Sequence, residues 1–427
     1  MVDWLIVGGG VHGCSVAHAL LRYTDSNQRG IRIIDPHREP LDAWNRRVEQ
    51  CGMRFLRSPG AHSIEPDFTS LVSWARREGW DLARHTVDPY ARPSVPLFRA
   101  HASSRIDESG LRRCWVRTRA TSILRRRGRW TILLADGRLL DGRNVILAVG
   151  QSDRLRMPRW CIRAPRDTVS HIFDPDFSLE RARVARAPVV VGAGTSAVHL
   201  ALRLAERPRG RRGALPFTPV RLISRTPLRV YQFDSDPCYI GPACMTDYLA
   251  LRKPEERRAI LETARQPGSI PPDLAHELES AVGEGTIEWI DDTIVDAREA
   301  PGSAVDLLGS DPRPRIYRSD LVVCATGFVR TPPAEALLQS IMDSSPGVWP
   351  TDQLGYPIPD SSLQWGQGLY LTGALAEQEL GPSAPNIIGA QNAAKRIVAH
   401  LNGAPREIPT AWRRYASASV SSSSDCC

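Results

Sequence analysis

Lysine is almost missing from this sequence. Of the 55 basic residues only Lys253 and Lys395 are lysines, the remainder are arginines, and the formal net charge is +8. A surface that binds nucleic acid usually gathers basic residues of both types in one cluster, whereas these arginines are scattered along the chain. We therefore expect no nucleic-acid partner.

The sequence also lacks C-x-x-C cysteine pairs and long hydrophobic runs. Its nine cysteines include no pair with the spacing of a redox dithiol or a zinc site. Apolar stretches such as Val145–Val149 and Pro188–Val191 fall well short of the ~18 residues that a transmembrane helix needs. Together with the odd cysteine count and the lack of an apolar leader after Met1, these absences predict a cytoplasmic protein with no metal site and no membrane span.

The overall composition is that of a globular protein. The chain has 427 residues, of which 42% are hydrophobic and 24% are charged. At roughly 100–200 residues per domain, this length predicts two or three folding units. Such a chain is long enough to bury a sizeable cofactor.

The first chemical motif begins at the third residue. A buried-strand pattern, Asp3–Val7, runs into Gly8-x-Gly10-x-x-Gly13, a helical pattern follows, and a second strand ends on Asp35 at about the expected ~20-residue spacing. Gly8 would make the tight turn, Gly10 would let the backbone approach a pyrophosphate, and Gly13 would let helix and strand pack closely. The Asp35 carboxylate could accept hydrogen bonds from ribose hydroxyls. The residues predicted to bind FAD here are Gly8, Gly10, Val11, His12, Gly13 and Asp35. We expect the His12 side chain to face outward, because the contact with the cofactor is made by the backbone.

The same pattern recurs in the middle of the chain. The strand Pro188–Val191 leads into Gly192-x-Gly194-x-x-Ala197 and a helix, but the next strand, Val220–Ile223, ends on Ser224 and Arg225 instead of an acid. An arginine can pair with a 2′-phosphate and a serine can add a hydrogen bond, so this turn predicts NADPH in preference to NADH. The residues predicted to bind NADPH are Gly192, Gly194, Thr195, Ser196, Ala197, Ser224 and Arg225.

Three later strand ends complete the predicted nucleotide sites. Glycines or a Thr-Gly pair end the buried strands Asn144–Val149, Asp320–Ala325 and Gly368–Thr372. The last predicted helix begins near Asn386, and its N-terminus would point at the flavin ring, where its dipole would stabilise a reduced, anionic flavin. The residues expected at these positions are Gly150, Thr326, Gly327, Gly373, Asn386 and Ile387.

Two nucleotide motifs in one chain predict an α/β fold with two Rossmann-like dinucleotide-binding domains, the NADPH domain being inserted in the FAD domain. We expect the FAD-binding domain to comprise residues 1–165 plus 345–410 and the NAD(P)H-binding domain to comprise residues 180–335. The serine-rich end, residues 413–427, has the composition of a disordered tail.

Several segments resemble the N-hydroxylating flavin monooxygenases that act on lysine and ornithine. The stretch Met53-Arg-Phe-Leu-Arg-Ser-Pro59 looks like the loop of that family that contacts FAD, and Arg92–Phe98 is similar to the segment that follows it. Gly192–Ala197 and Ala325–Phe328 resemble two further family motifs. The resemblance implies FAD contacts by Met53 and Leu56. We also expect Arg57 to contact the flavin or a phosphate of NADP.

The chain departs from that family at two places. Pro237–Pro242 stands where the family has an Asn-Glu pair, and no lysine occurs between Met1 and Arg252, where the family has a lysine for the carboxylate of the substrate. The resemblance therefore implies an amine or another small nucleophile as substrate without identifying it. No catalytic residue is predicted.

Three functions remain open from the sequence. The first is an FAD-dependent, NADPH-using monooxygenase that takes a small-molecule substrate and O2 and works through a flavin C4a-hydroperoxide, for which the protein need supply no acid or base. The second is an NAD(P)H:acceptor oxidoreductase that inserts no oxygen. The third is a non-catalytic protein that binds FAD and NAD(P). Disulfide reductases are disfavoured because no suitably spaced cysteine pair is present. The sequence does not predict the oligomeric state.

Overall fold

A computed structural model describes residues 1–126, 128–151, 154–165, 167–206, 218–310, 315–344 and 349–403. The tail that the sequence predicts at 413–427 lies outside these residues. Within the described ranges, no helix is long and apolar enough to cross a bilayer. The same part of the chain contains no cluster of three His, Cys, Asp or Glu side chains that could hold a metal ion.

The strands are distributed along the whole described chain. In chain order they are β1 (Val2–Val7), β2 (Ile31–Asp35), β3 (Thr86–Val87), β4 (Arg92–Pro93), β5 (Trp115–Arg117), β6 (Ala120–Arg126), β7 (Arg129–Leu134), β8 (Leu139–Leu147), β9 (Val169–His171), β10 (Pro188–Val191), β11 (Val220–Ser224), β12 (Arg229–Val230), β13 (Ser269–Ile270), β14 (Ile287–Asp291), β15 (Ile294–Ala300), β16 (Ala304–Gly309), β17 (Ile316–Ser319), β18 (Leu321–Cys324), β19 (Gln364–Gly366) and β20 (Leu369–Leu371).

The α-helices mostly alternate with these strands, as in α/β proteins. They are α1 (Val11–Tyr23), α2 (Asp42–Cys51), α3 (Ser70–Arg77), α4 (Leu82–His85), α5 (Val95–Ser109), α6 (Leu179–Arg183), α7 (Thr195–Ala205), α8 (Pro242–Ala250), α9 (Pro254–Thr263), α10 (Pro272–Gly283), α11 (Glu335–Ser344), α12 (Glu377–Leu380) and α13 (Ile387–Leu401).

The first sheet joins the two ends of the described chain. Its strand order is β19-β20-β8-β1-β2-β5, and the antiparallel strands β7 and β6 extend it from β8. The central strand β1 pairs in parallel with both β2 and β8, and its Leu5 and Ile6 are completely buried. A strand that is covered on both faces needs a continuous apolar run, and residues 4–7 of β1 provide it.

The second sheet is formed by the middle of the chain. Its strands are all parallel, in the order β14-β11-β10-β18-β9, and a three-stranded antiparallel sheet, β15-β16-β17, lies beside it. Helices α7 and α10 pack on one face of the parallel sheet through Leu200, Leu274 and Leu278. The prediction of two Rossmann-like units, one nested within the other along the chain, is confirmed by these two sheets.

The structure draws the limits of the two units differently from the sequence. Strand β9 belongs to the second sheet although it precedes the predicted limit at residue 180. Helix α11 packs through Leu337 and Ile341 into the core of the first sheet, although it precedes the predicted return at residue 345. Strand β9 and the packing residues of α11 fall within residues 166–179 and 336–344, which the predicted limits assign to neither unit.

Ion pairs fix the second unit against the first. Arg258 on α9 is buried and pairs with Asp352 and with Glu377, which lies in the segment after β20. Arg92 on β4, also buried, pairs with Asp273 on α10 at 2.6 Å. Because a buried charge without its partner is costly, these contacts hold the two units in one relative position.

Candidate functional site

A single cleft of about 800 Å³ runs between the two sheets and collects residues from both glycine turns. The predicted site residues that line it are Gly8, Gly10, Val11, His12, Asp35, Met53, Leu56, Arg57, Gly150, Thr195, Asn386 and Ile387. The predicted site residues outside its lining are Gly13, Gly192, Gly194, Ser196, Ala197, Ser224, Arg225, Thr326, Gly327 and Gly373. The structure thus brings most of the first predicted nucleotide site and Thr195 of the second into one continuous space, while the other residues predicted to bind NADPH lie outside its lining.

The three glycines of the first turn have different physical reasons to be glycine. Gly8 has a φ of +105°, and a Cβ there would lie 2.2 Å from the carbonyl oxygen of Ala148. A Cβ on Gly13 would lie 1.8 Å from the carbonyl oxygen of Gly8, so α1 can approach β1 only at this residue type. A Cβ on Gly10 would meet nothing within 4 Å. The space at Gly10 faces the cleft, and no side chain caps the N-terminus of α1. This cradle fits the pyrophosphate of a dinucleotide.

Asp35 is held in place by hydrogen bonds from the protein. Its Oδ2 accepts the backbone N–H of Gly9 at 2.7 Å, and its Oδ1 accepts the backbone N–H of His37 at 2.8 Å and faces His37 Nδ1 at 2.8 Å. Burial opposes ionisation, but the hydrogen bonds from His37 and Gly9 outweigh it and hold the pKa of Asp35 below its ordinary value. Asp35 is therefore an anchored carboxylate in the wall of the cleft.

His12 corrects one expectation from the sequence. Its side chain does not face outward but is buried, with Nδ1 2.7 Å from Thr372 Oγ1 and Nε2 3.2 Å from the carbonyl oxygen of Pro385. Burial lowers its pKa to about 4, so the imidazole is neutral at pH 7. Since a carbonyl only accepts, Nε2 carries the proton and Nδ1 accepts from the threonine hydroxyl. His12 thus ties the first turn to the residues that precede α13.

The second turn is more open than the first. Gly192 has a φ of +144°, and a Cβ there would lie 2.6 Å from the carbonyl oxygen of Ala325, while Gly194 faces Gly268. The Thr195 hydroxyl donates to the carbonyl oxygen of Ser269 at 3.2 Å. Residues 192–196 are all half-buried, whereas residues 11–20 of α1 are all buried.

The residues after β11 have separate roles in the structure. The Ser224 side chain is buried, and its hydroxyl donates to the carbonyl oxygen of Thr226 at 2.8 Å and accepts the N–H of the same residue. The Ser224 hydroxyl therefore shapes the turn, whereas the sequence predicted that it would bond a phosphate. Arg225 is exposed and makes no hydrogen bond or ion pair within the described residues. Its guanidinium remains available to an anionic ligand.

Arg57 joins the loop after α2 to the second unit. Its guanidinium donates to the carbonyl oxygens of Tyr231, Gln232, Phe233 and Ser269 at 2.6–3.1 Å. Burial lowers the pKa of Arg57 to about 10, so the guanidinium is still protonated at pH 7. Although Arg57 lines the cleft, most of its donors are engaged by the protein, which argues against the predicted contact with a cofactor phosphate.

The remaining predicted glycines shape the backbone around the cleft. Gly150 has a φ of +83° and Gly373 a φ of +67°, and a Cβ on Gly373 would lie 3.6 Å from the ring of His12. Thr326 and Gly327 both pair with Arg156: the Thr326 hydroxyl donates to its carbonyl oxygen, and the Gly327 carbonyl accepts its N–H at 2.9 Å. The Thr-Gly pair thus fixes the linker between the two sheets.

A loop before α8 forms the opposite wall of the cleft. Phe233, Asp234 and Ile240 line it, and Asn386 Nδ2 donates to Asp234 Oδ1 at 3.0 Å. Further along the chain, Cys238 in the loop and Cys244 on α8 form a disulfide with their Cα atoms 5.2 Å apart. Sequence spacing alone does not indicate this pair, because a disulfide depends on the distance between the Cα atoms. No cysteine is among the described residues that line the cleft.

His62 is a residue of the cleft that the sequence analysis missed. It lies in the wall, is only 2% exposed, and its Nε2 has no hydrogen-bond partner among the described residues. No motif contains it, and the Pro-Gly-Ala stretch before it indicates only a loop. The sequence therefore carried no signal that would have singled it out.

A larger polar cavity of about 1120 Å³ lies apart from the cleft, on the side of α1 that faces α3 and α5. Its walls include His18, Glu65 and Arg105. The residues that line it include none of the predicted site residues. The cleft between the sheets is therefore the candidate site.

Comparison with known proteins identifies the fold. Residues 5–152 match a family model described as FAD-NAD(P)-binding. No curated protein sequence matches the chain. The cadaverine monooxygenase of desferrioxamine biosynthesis from Erwinia amylovora, solved with FAD, is 14% identical with a TM-score of 0.71, covering 96% of this chain and 97% of that chain.

Two further solved structures span the same architecture. The ornithine N-hydroxylase of Kutzneria sp. 744, solved with reduced FAD, NADP+ and L-ornithine, is 17% identical with a TM-score of 0.72, covering 94% of this chain and 99% of that chain. A bacillithiol disulfide reductase from Bacillus cereus is 15% identical with a TM-score of 0.58, again covering 94% and 99%. At this identity the likeness establishes the fold. The chain therefore has the two-unit FAD/NAD(P)-binding fold that the glycine turns predict.

Proposed function

We propose that this protein is an FAD-dependent, NADPH-using monooxygenase that hydroxylates an amine or another small nucleophilic substrate. The single observation that carries the proposal is the continuous cleft, which is lined together by residues of the first turn, by Thr195 at the end of the second turn and by the loop before α8. A hydride can pass from one nucleotide to another only when both share one water-poor space. Two monooxygenases among the structural neighbours have the same fold and support this reaction type.

FAD would be held by the first turn. The backbone N–H groups at the start of α1 and the space at Gly10 suit the pyrophosphate, and Asp35 suits a ribose hydroxyl. At the other end, α13 begins at Ile387 without a side-chain cap, so its N-terminus is free to stabilise negative charge on the ring system. Bound FAD would supply hydride acceptance and oxygen activation.

NADPH would be held by the second turn. Helix α7 begins at Thr195, and no side chain caps its N-terminus. This N-terminus therefore suits a second pyrophosphate. Arg225 is exposed at the end of β11, where it can pair with a 2′-phosphate. We infer that NADPH is preferred to NADH on this basis.

The substrate would be an amine that approaches the loop before α8. Asp234 contributes a carboxylate to that side of the cleft and attracts a cationic substrate. Neither lysine of the chain is among the described residues that line the cleft, and Arg57 is engaged by carbonyl oxygens. Arg46, Arg47 and Arg119 also line the cleft, so its described residues offer groups for a carboxylate as well as for an ammonium ion, and both diamines and amino acids fit the proposal.

The test is a coupling assay on the purified holoprotein. NADPH oxidation, hydrogen peroxide release and hydroxylated product are measured in parallel with cadaverine, L-ornithine and L-lysine. We expect one or more of these amines to raise NADPH oxidation and to convert peroxide release into a hydroxylamine detected by mass spectrometry.

The alternatives give different results in the same assay. Rapid NADPH oxidation with an added quinone or dye, but no oxygenated product from any amine or other nucleophile, would establish the acceptor oxidoreductase. A bound flavin that NADPH cannot reduce would contradict both enzymatic functions and leave a nucleotide-binding protein.

A further inference from the structure

Two cysteines that are 163 residues apart in the sequence bring their sulfur atoms together. The Sγ atoms of Cys161 and Cys324 lie 3.7 Å apart, and both thiols are free. The sulfurs would need to move about 1.7 Å closer to reach the ~2.05 Å of a disulfide. The sulfur atoms of Cys14, Cys51 and Cys114, which are also free, donate to carbonyl oxygens instead.

The two thiols of this pair are not equivalent. Cys161 is partly exposed in the short helical turn Arg159–Arg163, whereas Cys324 is completely buried at the end of β18. A hydrogen bond from the Cys324 thiol lowers the pKa of Cys161, while the same bond and burial raise the pKa of Cys324. Because the thiolate is the reactive form and needs access, Cys161 would react first with a small oxidant and Cys324 second.

The segment that carries Cys161 is fastened beside the end of β18. The N–H of Arg156 donates to the carbonyl oxygen of Gly327 at 2.9 Å, and the carbonyl oxygen of Arg156 accepts from the Thr326 hydroxyl. Trp160, next to Cys161, packs in the same buried core as Cys324. These contacts hold the two backbone segments together while both thiols are reduced, so the sulfurs are kept near each other.

The pair lies next to the second glycine turn. Cys324 is the parallel partner of Val191, the residue before Gly192, and the carbonyl oxygen of the following Ala325 is the atom that a Cβ on Gly192 would meet. Cys161 lies in the segment that leads from β8 of the first sheet to β9 of the second. A bond between the two sulfurs would therefore fasten the connection between the units to the strand beside the NADPH turn.

We propose that Cys161 and Cys324 form a reversible disulfide when hydrogen peroxide oxidises the protein. The Cys161 thiolate attacks one oxygen of the peroxide, so an S–O bond forms as the O–O bond breaks, and the released hydroxide takes up a proton to become water. The Cys324 thiol then attacks the sulfenic sulfur: the S–S bond forms, the S–O bond breaks, and the thiol proton leaves with the hydroxyl as a second water. The two thiols lose two electrons, and the peroxide gains them.

The source of the peroxide is separate from the chemistry of the pair. A monooxygenase that releases hydrogen peroxide would supply this oxidant itself, and only that link rests on the proposed function. Peroxide that is added without NADPH tests the pair without any turnover. Failure of the pair and failure of the proposed function are thereby distinguishable.

The experiment maps the oxidation state of each cysteine in the full-length protein. The protein is treated with a dithiol, freed of it and exposed to hydrogen peroxide, and the remaining thiols are alkylated before digestion and mass spectrometry. The variants are Cys161→Ser and Cys324→Ser. Cys51→Ser is the matched control, because Cys51 is also buried and free but its sulfur donates to the carbonyl oxygens of Arg47 and Val48.

We expect peroxide to abolish alkylation of Cys161 and Cys324 together and to produce a cross-linked peptide that contains both, which a dithiol reverses. Cys161→Ser should leave Cys324 as a free thiol. Cys324→Ser should stop the reaction at a sulfenic acid on Cys161, which dimedone traps. Cys51→Ser should form the cross-link as the wild type does. Oxidation should raise the urea midpoint of the wild type more than that of Cys161→Ser, because the new bond closes a long loop in the unfolded chain.

Two results would overturn the inference. If Cys161 and Cys324 of the wild type are still alkylated after peroxide treatment, the pair is not oxidised. If Cys161 is oxidised to a sulfinic acid while Cys324 remains alkylated, the two sulfurs do not join. Both results are read from the wild type, so they hold even where a serine at the buried position 324 prevents folding.

Discussion

The two glycine turns have the same sequence pattern but different surroundings. Around the first turn the start of α1 is buried, and His12 ties the turn to the segment before α13. Around the second turn residues 192–196 are half-buried. The turn contacts Ser269 on the short strand β13 and Gly268, which precedes that strand.

The charged residue at the end of the second strand of each unit differs in the same direction. Asp35 is buried and is anchored by hydrogen bonds from Gly9 and His37. Arg225, at the equivalent strand end of the second unit, is exposed. A nucleotide in the first turn would be enclosed by the protein, whereas one in the second turn would lie near solvent. The difference fits a retained FAD and an exchanging NADPH, and each prediction below tests one side of it.

The largest expected effect comes from Gly13→Ala in the first turn. A Cβ there would lie 1.8 Å from the backbone oxygen of Gly8, so α1 and β1 would have to separate. Because overpacking against a backbone atom cannot be relieved by a rotamer change, we expect a loss of about 3 kcal/mol in the free energy of unfolding. Urea unfolding and the flavin content of the purified protein measure the two consequences.

Gly10→Ala is the matched control for that variant. The added Cβ would meet no protein atom within 4 Å, and Gly10 has a φ of −75°, which alanine adopts freely. We expect wild-type stability in the FAD-free protein but at least a tenfold loss of FAD affinity. If Gly10→Ala binds FAD normally, the pyrophosphate does not lie at this turn.

The second turn is tested by Arg225→Ala. Loss of a charge-assisted hydrogen bond costs roughly 1.5–3 kcal/mol, so kcat/KM for NADPH should fall roughly 10- to 100-fold while that for NADH changes little. Arg221→Ala, on the same strand but paired with Glu288, is the control and should affect neither nucleotide. Equal losses with NADPH and NADH would contradict a 2′-phosphate contact.

A further prediction concerns the pH dependence of the link through His12. Its pKa is lowered to about 4 from 6.5, so the unfolded chain binds a proton between these values that the folded protein does not. The contribution of His12 to the free energy of unfolding is therefore complete above pH 6.5 and is lost as the pH falls towards 4. Between pH 7 and pH 5 the wild type should lose about 2 kcal/mol through this residue.

His12→Gln removes the titration while keeping a hydrogen-bonding side chain. The difference in unfolding free energy between the wild type and the variant should stay constant above pH 7 and narrow as the pH falls below 6.5. Chemical denaturation at several pH values measures it. A difference that is the same at pH 7 and pH 5 would show that His12 is not buried as a neutral ring.

Much of the fold could be predicted from the sequence because its signals are local. Strand, glycine turn and helix follow one another in adjacent residues, and the helical pattern predicted after Gly13 corresponds to α1. The role of Gly13 also followed from the motif, since the backbone atom that it faces is the carbonyl oxygen of Gly8 in the same motif, whereas the atom that faces Gly8 is the carbonyl oxygen of the distant Ala148.

The rest depended on contacts between distant segments. His12 meets Thr372 and Pro385, and Arg57 meets the loop at residues 231–233, which no local pattern indicates. The Cys238–Cys244 pair required the path of the loop before α8. His62 depended on the way in which α13 closes the cleft.

The most direct test of the central claim is to purify the protein without added cofactor and to quantify FAD and NADP(H) released on denaturation. The account predicts a near-stoichiometric amount of FAD and almost no NADP(H), because only the first turn encloses its nucleotide. Retention of NADP(H) with loss of FAD, or equal retention of both, would contradict the assignment of the enclosed and the open turn.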